Sequence, residues 1–151
     1  MTETFVDTTN PKSRPDSTYA GVINKIAQDG VCPFCPEHLE TYHKRPIIEK
    51  AFWVITDNMY PYKPSKHHRL IIHKSHITHF TEISLEAWVE LKQIADDEMK
   101  SRTIDGGTFI LRFGDTHFTG ASVNHLHAHI IQSDPDDSTY DSQNGLFMRI
   151  G

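Results

Sequence analysis

The stretch that most constrains this chain is His125-Leu126-His127-Ala128-His129-Ile130-Ile131, where polar and apolar side chains alternate with a period of two. Successive side chains of a strand point to opposite faces, so the pattern predicts a strand with His125, His127 and His129 on one side, spaced about 6.6 Å apart. Leu126, Ala128 and Ile130 then form the other side. A metal-chelating ladder or an incidental polar face is the plain reading of such a row. Three imidazoles in register, with small and branched residues behind them and a loop carrying Gly120 and Ser122 in front, favour a working face instead. Imidazole serves near neutral pH as ligand, nucleophile or proton carrier, and the sequence holds eleven of them.

The rest of the chain is read around that strand. Residues 1–18 are rich in Thr, Ser, Asp and Pro and predict a flexible or surface-draped N-terminal arm. Val22, Ile23 and Ile26 recur at helical spacing, with Gly30 as a stop, so a short helix over 19–28 leads into Cys32-Pro33-Phe34-Cys35. β-Branched and aromatic residues predict strands over 46–50 and 52–57, and a third over 69–73. Ser84 reads as the N-cap of a long helix to about residue 102, with Glu86 in its first turn. Leu85, Trp88, Val89, Leu91, Ile94, Ala95 and Met99 are its expected buried stripe. Strands over 108–113 and 124–132 complete a set of about five. The expected fold class is α+β: a mainly antiparallel sheet of about five strands, one long helix and a short N-terminal helix. One domain over 19–151 ends in an acidic tail from about residue 133.

A formal charge of −5 supplies no field to attract a phosphate backbone, so no nucleic-acid polymer is expected as partner, although a single nucleotide is compatible. No apolar run reaches the roughly 18 to 20 residues of a membrane span, and the N-terminus lacks the apolar centre of a signal peptide. A cytoplasmic protein without membrane contact is the expectation. The two cysteines admit three readings: a thiol–disulfide motif, half of a zinc site, or a reduced pair packed without metal. A helix and Gly30 before the pair and Pro36 after it are a poor context for the first. His38 and His43 are nearby candidate ligands, and His67, His73, His79 and His117 read as surface or loop residues.

At this point the sequence resembles the histidine-triad (HIT) family. His125 to Ile131 matches the signature His-x-His-x-His followed by two apolar residues, and Gly120 and Ser122 stand where that family has Gly and Ser or Thr. His68-Arg69-Leu70-Ile71-Ile72-His73-Lys74-Ser75-His76 is similar to the family's strand that begins at a His and ends in a basic residue and a His, with His73 where Pro is usual. The resemblance covers roughly residues 31–131.

The resemblance implies a HIT-like fold, a homodimer, and hydrolysis of a small-molecule nucleotide substrate through a nucleotidyl-histidine intermediate. The leaving group would be that of a phosphoramidate, a phosphoester or a dinucleoside polyphosphate. It makes His127 the nucleophile, His129 the acid for the leaving group, Ser122 a further donor, and His125 and His68 parts of the active-site network. A neutral imidazole both attacks and leaves phosphorus well, which divides one hard displacement into two easier ones. Asp57 or Asn58 would hold the ribose hydroxyls, with Gly120, Ser122 and His129 completing the nucleotide site. Related uridylyltransferases carry Gln in place of the third His, so His129 tilts the expectation to hydrolysis. A nucleotidyltransferase or phosphorylase, or a non-catalytic nucleotide-binding module, is the alternative. Several relatives bind structural zinc through positions that fall here on Cys32, Cys35, His76 and His125; no organic cofactor is expected.

Overall fold

The computed structural model describes residues 3–13 and 17–151. Its elements run α1 (Ser17–Asp29), α2 (Pro36–Tyr42), β1 (Ile47–Glu49), β2 (Trp53–Asp57), β3 (Ser65–His73), α3 (Leu85–Ser101), β4 (Thr108–Arg112), α4 (Thr116–Thr119) and β5 (His127–Ser133). The strands form one five-stranded sheet in the order β1-β2-β3-β5-β4, every pairing antiparallel. The α+β class is as expected.

One face of the sheet packs on α3. Trp53 and Ile55 of β2, Ile71 of β3 and Ala128 and Ile130 of β5 meet Ala87, Leu91, Ile94 and Ala95 of the helix, with Leu126 among them. Ser84 caps that helix by accepting from the Ala87 N–H, and the Trp53 indole donates to the Ala87 carbonyl at 2.7 Å. Burying a side chain such as Leu91 contributes about 1.5–3 kcal/mol. The expected stripe holds at Leu91, Ile94, Ala95 and Met99 but not at its N-terminal end. Leu85 is 80% exposed and Val89 55%, and Trp88 is also exposed, whereas Ala87 and Glu98 are buried. The buried face also takes in a carboxylate: Arg69, 4% exposed beneath the helix, donates from Nε to Glu98 at 2.6 Å and from Nη1 to Asp57 at 2.7 Å.

On the other face, α2 sets Leu39 against Val54, Leu70 and Ile72. Pro36 at the first turn of α2 is the start signal that the sequence reading passed over. Helix α1 sets Ile23 and Ile26 against Val6 and Val123. The segment expected to drape over the surface thus contributes to the core over its described part: Val6 bridges Val123 in antiparallel fashion, and the Asn10 amide donates to the carbonyls of Thr116 and Ala121. Residues 1–2 and 14–16 of that segment lie outside the described residues. His73 is buried, with Nδ1 3.0 Å from the Ser75 carbonyl and its ring edge-on to Trp53; it is not a surface residue. No helix among the described residues is long and apolar enough to cross a membrane.

Candidate active site and metal centre

Strand β5 begins at His127, three residues later than expected, yet the alternation persists through the turn before it. Leu126 joins the α3-side core while His125, His127 and His129 take the opposite side. The three imidazoles then divide into two sites.

His127 is 7% exposed, and its Nδ1 lies 2.6 Å from the His125 carbonyl. A carbonyl only accepts, so Nδ1 carries the proton and Nε2 holds the lone pair. Burial, with the positive Arg112 nearby, pushes the His127 pKa down to about 4, so the ring is neutral at physiological pH. Phe34 packs edge-on against it, ring centres 5.0 Å apart.

The tautomer of His129 follows from a short relay. The Tyr62 N–H donates to His68 Nδ1 at 3.1 Å, which leaves the proton of a neutral His68 on Nε2. That nitrogen lies 2.8 Å from His129 Nδ1, so His129 accepts there and keeps its own proton on Nε2. Asn58 Nδ2 stands 3.1 Å from the same His68 nitrogen, while Asn58 Oδ1 accepts from the Tyr60 N–H. Tyr62 stacks on the His68 ring.

His127 and His129 line a cavity of about 640 Å³, walled also by Tyr19, Ile23, Phe34, Asn58, Leu70, Gly120 and Ser122. The Ser122 carbonyl is held by the Asp7 N–H at 2.8 Å. Gly120 ends α4 at φ 72°, a conformation that suits glycine, and a Cβ there would stand 3.0 Å from the Arg149 carbonyl. Phe147 to Ile150 of the acidic tail also line the cavity, which nothing in their sequence announced. Asn58 is at this wall and Asp57 is not: Asp57 points to the α3 side, paired with Arg69. Of the two residues expected at the ribose, only Asn58 lines the cavity. Arg112, which also lines the cavity, was not among the expected site residues.

His125 belongs elsewhere. Its ring does not line the cavity; Nδ1 lies 3.3 Å from Cys32 Sγ, 3.7 Å from Cys35 Sγ and 3.2 Å from His76 Nδ1, and Cys35 Sγ lies 3.3 Å from His76 Nδ1. These four ligand atoms lie within 4.8 Å of one another. A tetrahedral zinc shell with bonds near 2.3 Å to sulfur and 2.0–2.1 Å to nitrogen has ligand–ligand edges of about 3.3–3.8 Å, so the cluster is close to the required size. The second nitrogens agree. His125 Nε2 donates to the His73 carbonyl at 2.6 Å and His76 Nε2 faces Glu3 Oε1 at 3.0 Å. Both Nδ1 atoms then present lone pairs to each other, which a cation between them relieves. The residues fit zinc. Burial pushes the Cys32 thiol up and, with Cys32 beside it, the Cys35 thiol to about 12, the reverse of an activated redox thiolate. The alternative ligands stand apart: His43 Nε2 lies 2.6 Å from Thr56 Oγ1, and His38 is not in the cluster. His79 caps the 3-10 turn at Phe80–Glu82, and His117 is exposed on α4.

The family model described as scavenger mRNA decapping enzyme C-term binding matches residues 31–144. No curated protein sequence matches. Among solved structures, a histidine triad nucleotide-binding protein from Candida albicans aligns with a TM-score of 0.60 at 18% identity, covering 80% of this chain and 82% of its own. A HIT family hydrolase from Clostridium thermocellum aligns at 0.52 and 20% identity, covering 67% of this chain and 90% of its own. A zinc-bound histidine triad family protein from Mycobacterium smegmatis aligns at 0.51 and 17% identity, covering 66% and 73% respectively. At these identities the likeness concerns the fold.

Proposed function

Given that the chain belongs to the histidine-triad family, through the decapping-type domain matched over residues 31–144, we propose that it is a hydrolase of small nucleotides that works through a nucleotidyl-histidine intermediate on His127. The observation that carries this reading is the pair of opposed tautomers: His127 held with its lone pair on Nε2, and His129 held with its proton on Nε2, both lining one cavity. One ring is set to attack and its neighbour to donate, with ring centres 4.9 Å apart.

In this account the His127 Nε2 lone pair bonds to the phosphorus attached to the nucleoside. The bond from that phosphorus to the leaving atom breaks, and its electron pair leaves with that atom, which accepts a hydrogen bond from His129 Nε2–H and takes its proton from solvent. Water then attacks the same phosphorus, the bond to His127 breaks with its electron pair returning to Nε2, and the proton of the water passes to solvent. Ser122 is the further donor near the leaving group. Asn58 is the ribose contact, and the apolar wall of Tyr19, Ile23, Phe34 and Leu70 takes the base. Cys32, Cys35, His76 and His125 would hold zinc, which would tie the Cys-x-x-Cys turn to the segments after β3 and before β5, apart from the phosphorus chemistry.

We also read the protein as a homodimer. Strand β4 is an edge of the sheet, and Phe80, Trp88, Phe109 and Phe113 are exposed beside it, with Phe80 in edge and tilted contact with Trp88 and Phe113. Sedimentation equilibrium checks this, and a monomer at tens of micromolar contradicts it.

The catalytic reading is tested by incubating the protein with adenosine 5′-phosphoramidate and with diadenosine polyphosphates labelled in the adenosine, quenching within milliseconds, and mapping the label. A labelled peptide carrying His127 supports the proposal. Turnover without any protein-bound nucleotide, or label on another residue, refutes it.

A further inference from the structure

Arg112 on β4 stands directly opposite His127 on β5 in the antiparallel ladder. Directly opposed residues of such a pair project to the same face, so a guanidinium lies beside the imidazole assigned to attack phosphorus. Its partners are all neutral: Nη1 donates to the Tyr62 hydroxyl at 3.2 Å and Nη2 to the Arg149 carbonyl at 2.8 Å. Its Nε is buried with no hydrogen-bond partner among the described residues. The contrast with Arg69 is direct, because that buried guanidinium is neutralised by Asp57 and Glu98. The cavity wall repeats the imbalance. Lys63, Arg112 and Arg149 line it, and no Asp or Glu does among the described residues, in a chain whose net charge is −5.

A fixed positive charge without a carboxylate, in a partly buried wall, costs solvation that only an anionic ligand returns. The phosphate under attack carries about one negative charge, whereas three cationic residues line the cavity and suit a second phosphate. Resting on the function proposed above, we infer that Arg112 is a specificity-determining residue that clamps the departing phosphate, so that this enzyme selects nucleotides joined through a phosphoanhydride over those carrying a neutral amine or alcohol. A planar guanidinium with a free Nε edge binds two phosphate oxygens at once, and a phosphate arriving there replaces the Arg149 carbonyl at Nη2. The bond broken is the one between the nucleoside-bearing phosphorus and the bridging oxygen. That oxygen leaves with the electron pair on the second phosphate, hydrogen-bonded by His129 Nε2–H and held by Arg112.

The test compares diadenosine triphosphate with adenosine 5′-phosphoramidate, which share the adenylyl group and differ in the leaving group, in wild type, Arg112→Gln and Arg112→Lys. Arg112→Gln is expected to lower kcat/KM for the triphosphate about 10- to 100-fold more than for the phosphoramidate, the scale of a charged hydrogen bond, with Arg112→Lys restoring part of the difference. Equal losses on both substrates, with melting temperatures unchanged, overturn the proposal. Calorimetric binding of ADP and AMP to the same proteins answers the question even if neither substrate turns over. Wild type preferring ADP by about tenfold, and Arg112→Gln abolishing that preference, upholds the clamp while the hydrolase reading fails; equal affinities in wild type overturn the clamp itself.

Discussion

The backbone carbonyl of His125 accepts from Nδ1 of His127 at 2.6 Å, while the His125 ring lies against Cys32 and Cys35. One residue thus belongs to the Cys/His cluster through its side chain and to the cavity site through its backbone. Whatever fixes His125 also fixes the tautomer of His127.

Zinc is accordingly expected to copurify at about one equivalent per chain. Cys32→Ser should lower zinc affinity more than about tenfold, reduce the melting temperature, and reduce turnover in proportion to the metal lost. Metal analysis alongside calorimetry and rate measurement checks this. Complete metal loss with unchanged melting temperature contradicts a structural role.

Asn58 and Asp57 should separate cleanly. Asn58→Ala is expected to weaken nucleotide binding by about 1 kcal/mol, roughly fivefold, because it faces the cavity beside His68. Asp57→Asn should leave affinity unchanged and reduce stability, because its carboxylate serves Arg69 on the other side of the sheet. Titration calorimetry of both variants with AMP decides; a loss of affinity confined to Asp57→Asn reverses the assignment.

The Arg69 network predicts an acid limb in stability. Burial alone would raise the Glu98 pKa, but the hydrogen bonds from Arg69 and Arg102 outweigh it and hold the carboxyl below its ordinary 4.5. A group depressed in the folded state contributes stability above its unfolded pKa and loses it as pH falls through the folded value. Melting temperature should therefore drop as pH falls from about 5 towards 3, and less so in Glu98→Gln. At pH 7, Glu98→Ala should cost about 2–3 kcal/mol by leaving Arg69 only Asp57. Equal pH profiles for wild type and Glu98→Gln would remove this network from the account.

How much of this could be read in the sequence depended on whether the information was local. The alternation over 125–131 is a property of consecutive residues, and it placed the histidines on one face and the core residues on the other. The cap at Ser84 and the Gly30 stop are local too. The α3 stripe was legible from Leu91 on but not at its N-terminal end, where apolar letters alone cannot report that Leu85 and Val89 stay outside, nor that Arg69, from a distant strand, holds Glu98 inside. Adjacent Asp57 and Asn58 were indistinguishable until the register of β2 fixed which faces α3. Arg112 needed the pairing of β4 with β5; its only local hint is a charged residue in the apolar run from Phe109 to Phe113.

The central claim is that His127 forms a bond to phosphorus, and the most direct measurement sets binding against turnover in His127→Asn. An asparagine keeps polarity at the site, so affinity for a nucleotide substrate should stay within about tenfold of wild type, the scale of one hydrogen bond. Turnover should fall by several orders of magnitude, about 10⁴-fold or more, because no nucleophile replaces the imidazole. If His127→Asn still hydrolyses every nucleotide that the wild-type protein hydrolyses at a substantial rate, the covalent account is wrong, and direct attack by water must take its place.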